Sequence, residues 1–425
     1  MIKSYFSVAL RNFWRNKTFS LINIFGLAIG ISAALVICLI VQYDFSFDKF
    51  HKDGDRIYRV VSNFNFAGES FHNSGVTSPM GNALRKELTG LELVVPLRTA
   101  DDDTKVTVPA EAVNQPAVYK KQKNIVFADE AYFRLIRYNW LAGAAKTALQ
   151  QPYQVVLTET KAKQYFPGLS ATEIIGNEIY FNDTVRAGIT GIVKDLDQNT
   201  DFTFTTFISR ATLESTKLKP QDWEEWNNTN SASQLLLKLS PGTSVAATEK
   251  GILAIYNKYH KKDKDDNSKT EYGLQALSDI HFNAIYGNFG DQRLAHKPTL
   301  YGLLAVASFL LLLGCINFIN LTTAQASQRA KEIGIRKTMG SSKQQLVFQF
   351  LSETFVITAM ATLLSIAITP LLLKVFADFI PEGLHFNIMR QPDIMLFLCA
   401  LVITVTLLSG FYPAIILSGF KPVLV

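Results

Sequence analysis

Residues 329–343 read RAKEIGIRKTMGSSK, and the segment lies between two long apolar runs. Ala330 to Thr338 are good helix formers, with Glu332 and Arg336 at i and i+4 to pair along one face. Gly340 stands where a helix end wants a left-handed residue, and Ser341 with Gln344 three positions on has capping-box spacing. The stretch therefore predicts a short basic surface helix, a sharp stop, and a newly capped helix entering a membrane. A basic loop obeying the positive-inside rule is the plainer reading of the same charges, so the rest of the chain has to weigh between the two.

Four stretches are long and apolar enough to cross a bilayer: Leu21–Tyr43, Leu300–Asn320, Val347–Phe376 and Ile394–Leu417. About 20 residues at a 1.5 Å rise span the roughly 30 Å hydrocarbon layer. Pro370 is expected to kink or end the third. The first is expected to stay as an anchor, because its apolar part exceeds that of a cleavable signal. A period near 3.6 in residues 1–20 predicts a short amphipathic helix before it. Lys3, Arg11, Arg15 and Lys17 precede span 1, and Arg329, Lys331, Arg336, Lys337 and Lys343 lie between spans 2 and 3 against Glu332 alone. The positive-inside rule then places both termini in the cytoplasm and residues 44–298 outside.

The expected fold class is an α+β membrane protein: four transmembrane helices plus a large α+β extracytoplasmic domain inserted between helices 1 and 2. Its parts are residues 1–43 (amphipathic helix and first span), 44–298 (outer domain) and 299–425 (remaining spans). In the outer domain, strands are expected at Arg56–Asn65, Leu93–Leu97, Thr104–Val108, Asn124–Ala128, Tyr153–Thr158, Glu178–Phe181, Val185–Val193 and Gln234–Leu239. Helices are expected near Met80–Leu88, Glu130–Arg134, Glu159–Phe166 and Thr243–His260, without a regular βαβ rhythm. The domain is expected to divide, residues 44–120, 155–210 and 270–298 forming one part and the rest an insertion.

Several chemistries are missing from the text. No Walker A, HExxH, CxxC, GxSxG or EF-hand motif occurs. The six histidines have no ligand spacing, and the three cysteines all fall in predicted spans. We expect no bound cofactor, no metal and no catalysis by this chain. The net charge of +6 flanks the spans and forms no aromatic-interleaved patch, so it does not indicate nucleic acid. In span 1, Gly26 and Gly30 form a GxxxG that lets a second helix approach closely. Glu353, two turns into the third apolar helix, needs a partner, expected among the loop's Lys and Arg residues in preference to a proton-relay role.

Four spans, one large domain after the first, and KEIGIRKTMGSS at 331–342 together resemble the MacB-like (FtsX-like) permeases of ABC transporters. Also similar are NIFGLAIGISAA (23–34), FDKFHKDGDRIYRVV (47–61), LTETKAKQYFPG (157–168), ITGIVKDL (189–196) and FYPAIILSGFKPV (411–423). The resemblance covers nearly the whole chain, and FDKFHKDGDRIYRVV looks most like permeases of Bacteroidetes-type bacteria. It implies an inner-membrane subunit that recruits a separate ABC ATPase, works as a homodimer or with a paired permease half, and transmits motion through spans 1 and 2 to a periplasmic domain. Membrane lipid and a periplasmic adaptor are further implied partners.

By the same resemblance Arg329, Lys331, Glu332, Ile333, Gly334, Arg336, Lys337 and Gly340 form the ATPase contact, with Ile333 filling a partner groove and basic neighbours meeting an acidic rim. Efflux or export of a peptide, antibiotic or lipoprotein-like substrate is the implied work. The alternative is control of a periplasmic cell-wall hydrolase without transport. Many Bacteroidetes-type relatives are twice this length, so the chain is either a half-length permease or the first half of a longer one.

Overall fold

The computed structural model describes Arg11 and residues 13–15, 17–109, 116–261, 269–290, 292–325, 333–388 and 391–419. The chain divides into two compact units, Met1–Phe45 with His296–Val425, and Ser46–Ala295.

Among the described residues, four helices of the first unit are long and apolar enough to cross a membrane: span 1 (Lys17–Phe45), span 2 (Lys297–Ala324), span 3 (Lys343–Val375) and span 4 (Pro392–Gly419). Most ends lie a few residues beyond the apolar runs, because polar flanks such as Lys17-Thr18 and Lys297-Pro298 continue the backbone ladder. Pro298 suits a first turn, where its missing donor would be unpaired anyway. Span 3 continues through Pro370 to Val375, so the proline does not end it.

Ile24, Leu27, Ala28, Ile31 and Ala34 of span 1 pack with Ala307, Cys315 and Phe318 of span 2, Ala361 of span 3, and Leu401 and Val405 of span 4. At one end of span 1, Tyr43 Oη donates to the Glu382 carbonyl at 2.7 Å, tying it to the connection between spans 3 and 4.

The helix that approaches Gly26 and Gly30 is span 2 of the same chain. A Cβ added at Gly30 would sit 3.1 Å from the Leu310 carbonyl oxygen and 3.7 Å from Leu311 Cα, and one at Gly26 would sit 3.2 Å from Asn317 Nδ2. The obstacle at Gly30 is backbone, which cannot rotate away. Gly30→Leu is therefore expected to destabilise the helical unit by about 1–3 kcal/mol, in the range of overpacked cores, and Gly30→Ala by less. Thermal unfolding in detergent measures this. A melting temperature equal to wild type for Gly30→Leu would refute the close packing.

The inserted unit is built on one 13-stranded sheet. Its central path runs Lys269–Ala276, Ile57–Phe66, Ser233–Leu239, Leu91–Thr99, Ile125–Ala128, Thr206–Ser209, Gln154–Thr158, Val185–Val193, Glu178–Phe181, Thr104–Val108, Ala117–Gln122. Two pairs are parallel, Ile125–Ala128 with Thr206–Ser209 and Gln154–Thr158 with Val185–Val193; the others are antiparallel. Central strands such as Ile125–Ala128, Thr206–Ser209 and Ser233–Leu239 are buried at every position, as strands covered on both faces must be. Helices Met80–Glu87 and Val245–Tyr259 cover part of the sheet through Leu84 and Ile252, which pack with Val60, Val94, Leu235 and Leu237. A separate core gathers Tyr132, Phe133, Phe202 and Phe207.

The expected division of this domain is not observed. Ser233–Leu239, assigned to an insertion, hydrogen-bonds between Ile57–Phe66 and Leu91–Thr99 in the middle of the sheet.

Candidate functional site: the loop between spans 2 and 3

Residues 333–338 form the described part of a helix that ends in a tight reversal. Gly340 takes φ +93°, where a side chain would be strained. Its N–H donates to the Lys337 carbonyl at 3.0 Å, and Ser341 N–H donates to the Arg336 carbonyl at 3.0 Å. This pair of bonds is a Schellman closure. It occupies the Ser341 amide, so the cap of span 3 falls one residue later than the spacing suggested. Ser342 accepts from Gln345 N–H at 3.3 Å, and Gln345 Oε1 accepts from Ser342 N–H at 2.9 Å.

The structure corrects the role read for Ile333. Its side chain is only 3% exposed and packs with Leu346 and Phe350 of span 3 and Ala414 and Leu417 of span 4. Ile333 thus holds the loop helix to its own chain. Gly334 beside it is also buried. The exposed apolar residues are Ile335 (54%) and Met339 (81%), one turn apart. They are candidate contact residues that inspection of the sequence passed over. The Ile335/Met339 spacing was the available signal, equal in form to the Ile333/Lys337 spacing.

Arg336 donates through Nη1 to Gln349 Oε1, and Gln349 Nε2 donates to Glu353 Oε1 at 3.0 Å. Gln349 and Glu353 are both buried. The loop thus reaches the buried carboxylate of span 3 through a glutamine. Arg336 and Lys337 are half-buried. Arg329, Lys331 and Glu332 lie outside the described residues, and with them the expected Glu332–Arg336 pair.

A second constellation stands in the inserted unit, beginning three residues after span 1 ends. Asp48 accepts from Thr200 Oγ1, and from Asp201 N–H at 3.2 Å, and lies 3.1 Å from His51 Nε2. Asp201, fully buried, accepts from His281 Nδ1 and Asn288 Nδ2, both at 3.2 Å. A carboxylate only accepts, so His281 Nδ1 carries the hydrogen. His281 stacks on Phe47 with ring centroids 3.5 Å apart.

Arg59, also fully buried, donates to Gln275 Oε1 at 2.7 and 3.0 Å and to the Gly287 carbonyl at 2.5 Å. Burial pushes its guanidinium down to about 10, while Asp201 and Asp279 oppose the shift. Three distant segments, 46–51, 199–204 and 275–290, are fastened together by these groups.

A family model described as "MacB-like periplasmic core domain" matches residues 20–255, and one described as "FtsX-like permease C-terminal" matches residues 304–422. Macrolide export ATP-binding/permease protein MacB of Pasteurella multocida (strain Pm70) is 21% identical over 434 aligned residues, covering 98% of this chain and 59% of that protein. The chain thus spans about three-fifths of that relative's length. Uncharacterized ABC transporter permease YknZ of Bacillus subtilis (strain 168) is 33% identical over 104 residues, 24% of this chain and 25% of that protein. Among solved structures, a domain of a putative permease protein from Porphyromonas gingivalis aligns with TM-score 0.45 and 17% identity, over 61% of this chain and 100% of that one. With four membrane-spanning helices and a mixed α+β unit between the first and second, the chain belongs to the MacB-like, FtsX-like permeases of ABC transporters.

Proposed function

We propose that this chain is the membrane subunit of a transporter whose ATP is bound and hydrolysed by a separate ATPase subunit docked on residues 329–340. Both termini and this loop face the cytoplasm, and residues 46–295 face the periplasm. The chain holds no cofactor of its own. It works as a homodimer or with a paired permease half, and a periplasmic adaptor is a further partner. ATP-driven closure of the ATPase moves the loop, and spans 1 and 2 carry the motion outward for efflux or export of a peptide, antibiotic or lipoprotein-like substrate.

The observation that supports this most is the exposed Ile335/Met339 pair beside Arg336 and Lys337, on a helix locked by Gly340. Apolar anchors among basic residues suit a groove with an acidic rim. The close packing of Gly30 on the span 2 backbone and the Asp48–Asp201 fastening supply stiffness along the proposed path. Affinity purification from native membranes, in mild detergent with ATP, should retain an ABC ATPase identifiable by mass spectrometry. Absence of any ATPase under those conditions would overturn the reading.

A further inference from the structure

Span 1 is exposed along one stripe, and only over its first part. Thr18, Leu21, Ile22, Phe25 and Ile29 recur on one helix face and are exposed. From Gly30 to Phe45 the residues of the helix are all buried or half-buried. At a 1.5 Å rise per residue the stripe runs about 16 Å. That is half of a hydrocarbon layer of roughly 30 Å, the depth of one leaflet.

Cations head this stripe. Arg11, Arg15 and Lys17 are exposed, and no acid precedes Asp44 in the sequence. Phe13 packs against the core of the four spans, which leaves Arg11, Trp14 and Arg15 outward. Lys17 Nζ lies 5.1 Å from the centre of the Trp14 ring and so ties the start of span 1 to the residues before it. An exposed tryptophan suits the headgroup level of a membrane. The described acids of the helical unit stand elsewhere. Glu353 is buried on Gln349, and Asp44, Asp378, Glu382 and Asp393 belong to the end where Tyr43 meets the Glu382 carbonyl. A guanidinium takes a phosphate through two parallel donors. A second copy laid on the same stripe would instead set these cations against one another.

We infer that this face holds one anionic phospholipid, its phosphate on Arg11 and Arg15 and an acyl chain along Leu21, Phe25 and Ile29. The inference rests on the helices spanning a membrane. It uses neither the ATPase nor the side on which the loop lies, so it can fail with that reading intact.

The test is native mass spectrometry of the delipidated full chain in detergent, titrated with phosphatidylglycerol and separately with phosphatidylcholine of the same acyl chains. The expected result is one phosphatidylglycerol retained per chain, about ten-fold or more tighter than phosphatidylcholine. Arg11→Gln with Arg15→Gln should remove that preference; both side chains are exposed, so the change leaves the packing of Phe13 in place. Lys343→Gln with Lys374→Gln takes the same charge from the exposed ends of span 3 and should keep the preference. Glycerol phosphate, a headgroup without chains, should not displace the lipid at equal concentration. Equal retention of the two lipids would overturn the site, as would a preference that survives the arginine change or disappears in the lysine control. Displacement by glycerol phosphate would remove the apolar stripe from it. A dimer of the chain that carries no phosphatidylglycerol would assign the stripe to a second copy and overturn the lipid.

Discussion

Replacing Ile335 and Met339 together by glutamate is expected to strip the ATPase subunit from the purified chain while leaving the permease folded. Both side chains are exposed in the permease alone, so the change costs little within the chain. In a docked complex each would be buried, at about 1.5–3 kcal/mol per side chain. Losing both weakens binding by roughly 100-fold or more, and buried unpaired carboxylates add to the loss. Ile333→Ala should behave in the opposite way. It removes a contact with Phe350 and Leu417 inside the chain, and a buried Ile→Ala change costs about 2–5 kcal/mol. Thermal unfolding in detergent and the ATPase yield on pull-down separate the two. A normal ATPase yield with the double glutamate variant would remove Ile335 and Met339 from the contact.

The contrast between Ile333 and Ile335 shows where sequence reading stops. In a short amphipathic helix both residues offer an apolar position one turn from a partner, Lys337 or Met339. Which face turns inward is decided by Ala414 and Leu417, about eighty residues further on, and no local pattern holds that information. The adjacent serines pose the same problem at shorter range. Ser341 and Ser342 each have a glutamine three residues later, and only the closure at Gly340, which uses the Ser341 amide, selects Ser342 as the cap.

Long apolar runs and alternating β-branched strands were legible because their pattern is local. Thr104–Val108, Glu178–Phe181 and Val185–Val193 were read to the residue. Glu69–Asn73 (ESFHN) and Lys269–Ala276 were not seen, since polar side chains on exposed edges hide the alternation. These two are strands because Ile57–Phe66 pairs with them, residue by residue. The Asp48–Asp201 constellation was invisible for a related reason. Its members are scattered from 48 to 288, and each looks like an ordinary polar loop residue until the sheet gathers them.

That constellation yields the second large expectation. Asp201→Ala should loosen the inserted unit by about 3–5 kcal/mol, the usual cost of breaking a buried charged pairing from one side. The substitution removes the acceptor of both His281 Nδ1 and Asn288 Nδ2. It also removes the carboxylate that most favours the charge on Arg59, which stays buried against Gln275 and Gly287. Segment 279–290 thereby loses its hydrogen bonds to segment 199–204 and keeps only the packing of Phe289 on Phe202 and Phe204, so hydrogen exchange should rise there first.

Exposed Glu271→Ala is the control, expected within about 0.5 kcal/mol of wild type as a surface change. The consequence for transmission is separable from docking, because Asp201 lies in a different unit from the loop. The Asp201→Ala chain should still retain the ATPase on pull-down, and ATP should no longer change the exchange pattern of residues 46–51 and 279–290. An ATP-dependent pattern equal to wild type, alongside the measured loss of stability, would show that the fastening serves the fold alone and that any ATP-driven motion reaches the sheet of the inserted unit by another route.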